Sequence, residues 1–381
     1  TVTTASVAGA SFGFALLLTL VFSVVATMVL QEMSARLGLV TRRGLSQALR
    51  ETFAGRWYGP LAVILVVAAV GFGNAAYEAG NITGAALGLE GLSGVQGWVW
   101  ALTVGLLAAM LLASGRYGLI EHVLVALVLL MSLVFLLTFI MVRPPLGTLL
   151  DGMFNPSLPS GSLLTAIALI GTTVVPYNLF LHANAVREKW PAELPLHKAL
   201  RESRLDTGLS IGLGGLITLA IMSTAAAAFF QSGLDLRGDS MATQLEPLLG
   251  SWARYVFALG LFAGGLTSAI TAPLAASYAV CGALGWHQGL SAPGFRLVWV
   301  TVLATGTAFA ALGSKPLVAI IFAQAANGFL RPLVAIFLLW VMNRRDLLGD
   351  HRNGPLANAL GALVVLTAVG LGGVKLVSVF S

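Results

Sequence analysis

Residues 171–182 combine several groups that can bind a cation inside a long apolar run (Gly-Thr-Thr-Val-Val-Pro-Tyr-Asn-Leu-Phe-Leu-His). Pro176 has no backbone N–H, so it cannot donate a hydrogen bond to the carbonyl of Thr172. The Thr173 hydroxyl and the Asn178 amide lie within two helical turns of that carbonyl. A discontinuous membrane helix offers such groups to a cation. The alternative is a proline kink that threonine hydroxyls satisfy.

The elements that position this segment are membrane helices. Only 9% of the residues are charged and 57% are hydrophobic, whereas soluble domains average about 25% charged residues. A bilayer core about 30 Å thick needs roughly 20 apolar residues per helix. The apolar runs are continuous and do not alternate, which favours helices over a barrel. We predict spans at residues 12–38, 60–86, 96–114, 118–142, 160–186, 205–230, 251–285, 295–313, 316–342 and 355–379.

Lysine and arginine cluster in alternate loops between these spans, within a chain of net charge +6. The positive-inside rule places such loops in the cytoplasm. Because the basic residues are confined to short loops, we expect no nucleic-acid partner. Cys281 is the only cysteine, which excludes a disulfide framework. The predicted cytoplasmic loops follow spans 12–38, 96–114, 160–186, 251–285 and 316–342.

Four segments resemble the Nramp family of divalent metal transporters. Residues 175–182 (Val-Pro-Tyr-Asn-Leu-Phe-Leu-His) resemble the Met-Pro-His-Asn motif and the following Leu-x-Leu-His of the family's sixth helix. Residues 30–48 resemble the end of its second helix. Residues 245–250 and 264–271 resemble parts of its eighth helix. The resemblance runs in order from Thr1 to about Met342. It implies an all-α LeuT-type fold with inverted repeats of five helices, discontinuous helices 1 and 6, and an eleventh helix.

The resemblance implies a single transmembrane domain over residues 1–381. Residues 1–142 form the first repeat without the first half of helix 1, residues 160–342 form the second repeat, and residues 355–379 form the extra helix. Thr1 falls on the Asn of the family's Asp-Pro-Gly-Asn motif. We therefore expect that an earlier segment, carrying the metal-binding Asp, precedes the sequence.

The resemblance also implies a metal site and shows how it differs from that of the family. Val175 stands where the family has a metal-binding Met. A thioether suits softer transition metals, so its loss leaves an all-oxygen site that suits Mg²⁺ or Mn²⁺. Gln324 and Asn327 would add a ligand through water, or would instead form helix–helix hydrogen bonds. The expected metal positions are Thr1, Thr172, Val175, Asn178, Gln324 and Asn327.

Three positions indicate weak or absent proton coupling. Tyr177 replaces the family's His after the proline, and it does not titrate near neutral pH. Asn74 and Tyr77 fall on two acids that are thought to carry protons in the family. An alignment shifted by one residue would instead replace the second acid with Glu78. These differences resemble the Nramp-related magnesium transporter branch.

Several further charged or titratable groups lie within or beside the spans. His182 shares a helical face with Asn178; the resemblance places it toward the cytoplasmic exit, and helix packing is the alternative. Glu78 and Arg331 are charges within predicted spans, so we expect them to pair or to reach water. Three other charged residues are interpreted as structural, namely Glu32, Arg36 and Glu121.

The leading hypothesis is a secondary-active or facilitative transporter of divalent cations that works by alternating access in a bacterial inner membrane. One alternative is an amino-acid or small organic cation transporter of the same fold. Another is a non-transporting Nramp-like sensor, although such sensors carry a large soluble C-terminal part that is not seen here. No nucleophile–base pair or nucleotide-binding loop suggests an enzyme. The expected partners are the divalent ion and the bilayer, and we expect a monomer with no cofactor besides the transported ion.

Overall fold

The computed structural model describes residues 2–155, 157–230, 252–313 and 332–380. Within these ranges all regular secondary structure is helical. Seven helical segments there are long and apolar enough to cross a membrane, judged by length and composition. They are Leu17–Thr41, Gly59–Ser93, Tyr117–Val142, Leu163–Lys189, Leu196–Ala225, Tyr255–Leu284 and Pro293–Ala311.

Within each described range the helices follow one another through short connections. Two π-helical segments, Val67–Phe72 and Ala226–Phe230, extend the spans that contain them. The α-helices are α1 Val2–Phe12, α2 Leu17–Thr41, α3 Leu45–Thr52, α4 Gly59–Val66, α5 Gly73–Ser93, α6 Gly97–Ala113, α7 Tyr117–Val142, α8 Leu146–Phe154, α9 Leu163–Thr173, α10 Pro176–Lys189, α11 Leu196–Ala225, α12 Ala253–Leu284, α13 Pro293–Ala311, α14 Pro332–Val341, α15 Arg345–Leu348 and α16 Pro355–Phe380.

Each predicted span coincides with a helix over its described part, but some boundaries were wrong. The span predicted to begin at residue 12 begins at Leu17, because a turn over residues 13–16 separates α1 from α2. The span predicted to begin at residue 205 begins at Leu196, immediately after Pro195. The Pro195 carbonyl accepts hydrogen bonds from the N–H groups of Lys198 and Ala199, so the helix starts within a charged stretch.

Close helix–helix contacts organise the core. The first helix packs against α9 and α11, α2 packs against α10 and α11, and α5 packs against α12 and α13. At Gly38 a Cβ atom would lie 2.2 Å from the Ala183 carbonyl oxygen, so glycine lets α2 approach α10. Small residues at such crossings are typical of membrane helix packing. This crossing holds α2 directly beside the predicted cation-binding segment.

Candidate functional site

The span predicted at residues 160–186 is broken near its middle. Helix α9 ends at Thr173 and α10 begins at Pro176. Val175 is extended (φ −95°, ψ 125°), as is typical of a residue before proline. Pro176 occupies the first turn of α10, where its missing N–H costs no helical hydrogen bond. The predicted discontinuity is therefore present, and it divides a span of 27 residues into halves of 11 and 14 residues.

The polar groups around the break form hydrogen bonds within a helix and also between helices. The Thr173 hydroxyl donates to the Leu169 carbonyl at 2.9 Å, so it does not satisfy a carbonyl at the break. Thr172 lies half-buried in the last turn of α9. The Leu179 carbonyl accepts a hydrogen bond from the Ser34 hydroxyl at 2.6 Å, which ties α10 to α2. The break is thus held by its neighbours as well as by proline.

Helix α1 lies beside the first half of the broken span, because α1 packs against α9. Its first described residue also approaches α7 and α12. A Cβ atom on Gly264 would lie 3.3 Å from Met131 Sδ and 3.9 Å from Val2 Cγ2. The segment of α12 that resembles the family's eighth helix therefore lies next to the start of α1.

A cavity of about 260 Å³ begins two residues beyond the start of α10. Asn178 and His182 line it from α10, one helical turn apart. Gln31 lines it from α2, and Glu121 lines it from α7. The cavity therefore presents two amides, a carboxylate and an imidazole to any ion that enters it. We name it the Asn178 cavity.

His182 both lines the Asn178 cavity and packs against α11. Its Nε2 atom lies 3.0 Å from the Thr207 hydroxyl oxygen. The predicted shared face with Asn178 is present, since both side chains line the same cavity. The contact with Thr207 orients the ring, as the packing alternative proposed. The Thr207 contact agrees with the packing alternative, and the location of His182 toward the cytoplasmic exit stays a prediction.

A charged cluster links three helices at one end of the Asn178 cavity. Lys189 Nζ lies 3.0 Å from Glu121 Oε1 and 3.0 Å from Asp206 Oδ1. These residues belong to α10, α7 and α11. Sequence reasoning interpreted Glu121 as structural and missed Gln31 as a lining residue. The only sequence signal for Gln31 is a polar side chain inside an apolar span.

Glu78 is fully buried (0% exposed). Its Oε2 atom accepts a hydrogen bond from the Asn81 amide at 3.0 Å, while Oε1 has no partner among the described residues. Gly306 makes room for it, because a Cβ atom there would lie 2.4 Å from Glu78 Cγ. The predicted pairing with Arg331 stays a prediction, since Arg331 lies outside the described residues.

Asn74 holds α5 against α12. It is 1% exposed, and its Nδ2 atom donates to the Ala272 carbonyl at 3.0 Å. Tyr77 is half-buried on the next turn of α5. Tyr177 of α10 lies within electrostatic range of Tyr77 and Glu78. Tyr177 therefore lies near Tyr77 and Glu78, two of the positions on which the expectation of weak proton coupling rests.

The expected metal site lies partly within the described residues. Among the described residues, no three His, Cys, Asp or Glu side chains cluster as a metal-binding group. Val175 and Asn178 flank the start of α10, on either side of Pro176 and Tyr177. Thr1, Gln324 and Asn327 lie outside the described residues, and they stay predictions.

The comparison with protein families decides the identity of this helical bundle. Residues 1–378 match the family described as natural resistance-associated macrophage protein-like, or Nramp. The chain belongs to the Nramp family. It is therefore an integral membrane protein, as its seven long apolar helical segments indicate for the described ranges.

Curated Nramp relatives align along nearly the whole sequence. The divalent metal cation transporter MntH of Erwinia tasmaniensis is 30% identical, with 97% of this chain and 88% of the relative covered. The protein of the same name from Aeromonas hydrophila is also 30% identical, with 97% and 90% covered.

Two solved transporter structures share the fold of this chain. The manganese transporter of Eremococcus coleocola, in complex with an aromatic bis-isothiourea substituted compound, has a TM-score of 0.76 at 21% identity, covering 99% of this chain and 83% of that chain. A Na⁺-coupled sialic acid symporter has a TM-score of 0.52 at 14% identity, covering 96% and 88%. At these identities the likeness shows the fold. It is the LeuT-type fold with inverted repeats, in which α9 and α10 are the two halves of helix 6.

Proposed function

We propose that this chain carries divalent metal cations across a bacterial inner membrane by alternating access, as a secondary-active or facilitative transporter. The observation that carries this proposal is the break at residues 174–175, with the Asn178 cavity beginning in the first turn of the helix that follows it. Discontinuous helices place backbone carbonyls at mid-membrane depth, where they can replace part of an ion's hydration shell. The names of the relatives, which are divalent metal cation and manganese transporters, support this choice of substrate.

The proposed ligands are oxygen atoms. Asn178 supplies an amide oxygen from the first turn of α10, and the end of α9 supplies the Thr172 carbonyl. Thr1, Gln324 and Asn327 complete the proposed set. Val175 has no lone pair, so the site gains no soft ligand from that position. An oxygen site favours Mg²⁺ or Mn²⁺, and Mn²⁺ is also the ion that the structural relative's name gives.

We propose weak or no proton coupling. Asn74 does not titrate, and its amide is already committed to the Ala272 carbonyl. Tyr177 stands in place of the family's His and stays protonated near neutral pH. Glu78 remains as the one carboxyl among these groups, and it faces Asn81 and Gly306 in a fully buried position. Metal uptake should therefore proceed without a matching proton flux.

The proposed unit is a monomer with the α3 end of the bundle in the cytoplasm. Arg42, Arg43 and Arg50 lie at that end, between α2 and α4. The positive-inside rule favours this orientation. The lipid bilayer and the ion are the proposed partners, and no catalytic reaction is proposed.

Flux through the full-length protein in liposomes tests the proposal. We expect Mn²⁺ or Mg²⁺ to move down its gradient, and Asn178→Ala to lower that flux about tenfold through loss of one ligand. Asn155→Ala is the matched control, because Asn155 is exposed at the end of α8. Absence of any divalent flux in wild type, or equal effects of the two variants, would refute the proposal.

A further inference from the structure

A second cavity, of about 380 Å³, lies on another face of α10. It is lined by α3, by the α10 residues Asn184, Arg187 and Glu188, and by the end of α12 with the loop that follows. Because α3 packs against both α10 and α12, the cavity is enclosed by three elements that different parts of the chain supply. We name it the Arg187 cavity.

Two arginines line the Arg187 cavity without a close carboxylate partner of their own in the described part of the chain. Arg187 Nη1 donates to Asn184 Oδ1 at 2.9 Å and to Gln288 Oε1 at 3.3 Å, and both acceptors are neutral amides. The nearest ion pair of Arg50 is 3.9 Å long and goes to Glu51. Glu51 is also paired with Arg43 at 3.0 Å. Positive charge in the cavity is therefore incompletely neutralised.

Two buried donors at this cavity have no hydrogen-bond partner among the described residues. Tyr278 is 1% exposed, and its hydroxyl is one of them. The Arg50 Nε is the other. Tyr278 lines the cavity together with Arg187 and Glu188 of α10. Leaving a buried donor unpaired costs free energy that a ligand can recover.

We propose that the Arg187 cavity binds a phosphate group. A phosphate offers several acceptor oxygens, and guanidinium groups bind it through paired, charge-assisted hydrogen bonds. Arg50, Arg187 and the Tyr278 hydroxyl supply donors from α3, α10 and α12. Glu188 is the one carboxylate of the described lining, and it is exposed, so it lies at the rim where water screens it. The phosphate belongs either to a free anion or to a lipid headgroup.

Such a ligand would stabilise the described arrangement of α3 against α10 and α12. Arg50 already lies across the end of α12, because a Cβ atom on Gly285 would lie 2.2 Å from Arg50 Nη1. A bound phosphate would join this guanidinium to that of Arg187 on α10. Ligands that bind one arrangement preferentially increase its population. This inference goes beyond the proposed transport function and does not depend on it.

Binding of radiolabelled orthophosphate to the full-length protein in phosphatidylcholine nanodiscs is the first experimental arm. Native mass spectrometry of protein extracted from membranes rich in acidic phospholipid is the second. We expect Arg187→Gln and Arg50→Gln each to weaken binding about tenfold or more. Arg187→Lys keeps the charge and should retain part of the affinity. Arg56→Gln is the control, because Arg56 is exposed near the same end and contacts Tyr58.

Tyr278→Phe separates binding from folding. The Tyr278 ring packs edge-on against the Phe295 ring, with 4.9 Å between the ring centroids. This packing survives the change. Since the hydroxyl has no partner in the described structure, its removal should not lower stability without ligand, but it should weaken phosphate binding several-fold.

If wild type binds orthophosphate saturably in neutral nanodiscs and these variants weaken that binding, the ligand is a free anion. Retention of acidic phospholipid by wild type, lost in the same variants, would identify a headgroup. If neither is observed, or if Arg56→Gln has the same effect as Arg187→Gln, the inference is wrong. Transport measured in liposomes without added orthophosphate reports separately on the proposed function.

Discussion

Replacing Asn74 by an acid tests directly how the contact between α5 and α12 responds to an ionisable side chain. In the native structure its Nδ2 atom donates to the Ala272 carbonyl at 3.0 Å in a buried position. Asn74→Asp keeps the size of the side chain but removes this donor whenever the carboxyl is ionised. The change also introduces an acid where the family resemblance places one. It therefore probes stability and proton coupling together.

The expected loss of stability follows from the buried groups that lose their hydrogen-bond partners. In the Asn74→Asp variant, an ionised carboxylate at position 74 would lose the hydrogen bond and would lie against a carbonyl oxygen. Each unsatisfied buried group costs about 1–3 kcal/mol, so we expect destabilisation of about 2 kcal/mol or more at pH 8. A protonated carboxyl can again donate to the Ala272 carbonyl. The native state then binds the proton more tightly than the unfolded state does, so stability falls as pH rises.

Unfolding by detergent titration at pH 5.5 and pH 8 measures this difference. Asn74→Asp should be closer to wild type at pH 5.5 than at pH 8, while wild type lacks this pH dependence. The exposed control Asn155→Ala, which introduces no titratable group, should change stability by less than about 0.5 kcal/mol at both pH values. In liposomes, Asn74→Asp should increase metal-driven acidification of the lumen. Equal destabilisation at both pH values would refute the role assigned to the Ala272 contact.

Three further predictions concern other parts of the site. Val175→Met adds a polarisable sulfur beside the break. Calorimetric titration should therefore show a modest gain in Cd²⁺ affinity relative to Mg²⁺ affinity. An unchanged ratio of the two affinities would mean that position 175 does not face the ion. Lys189→Gln and Glu121→Gln should each lower stability by about 0.5–1 kcal/mol, and a double-mutant cycle should show coupling because their atoms are 3.0 Å apart. Replacing Arg331 alone by Leu should destabilise more than replacing both Arg331 and Glu78, since an unpaired charge in the bilayer core costs at least about 2.5 kcal/mol; additive effects would show that the two side chains do not interact.

Local chemistry explains which features the sequence could predict. The helix break follows from Pro176 alone, because proline removes a donor whatever surrounds it. The 3.0 Å pair between Glu32 and Arg36 follows from their i,i+4 spacing on α2. The contact between Asn81 and Glu78 is equally local, at i,i+3, and attention to that spacing would have found it.

Contacts between distant segments explain most of what was missed. Gln31 and Glu121 both line the Asn178 cavity although they lie on α2 and α7, and no local pattern specifies that arrangement. The early start of α11 also depends on contacts between distant segments. Its first turns are charged, and Asp206 on that helix is paired with Lys189 of α10. Composition there indicates a loop, whereas tertiary contacts stabilise a helix.

Helix α10 is the shared wall of both cavities, and its periodicity determines which residues line each one. Asn178, His182 and Ala185 follow an i, i+4, i+7 pattern and line the Asn178 cavity. Asn184, Arg187 and Glu188 follow an i, i+3, i+4 pattern and line the Arg187 cavity. A rigid rotation or shift of α10 would therefore change both cavities together. If alternating access moves α10 relative to α3 and α12, a phosphate held by Arg187 and Arg50 opposes that movement, and ion flux should fall as phosphate occupancy rises.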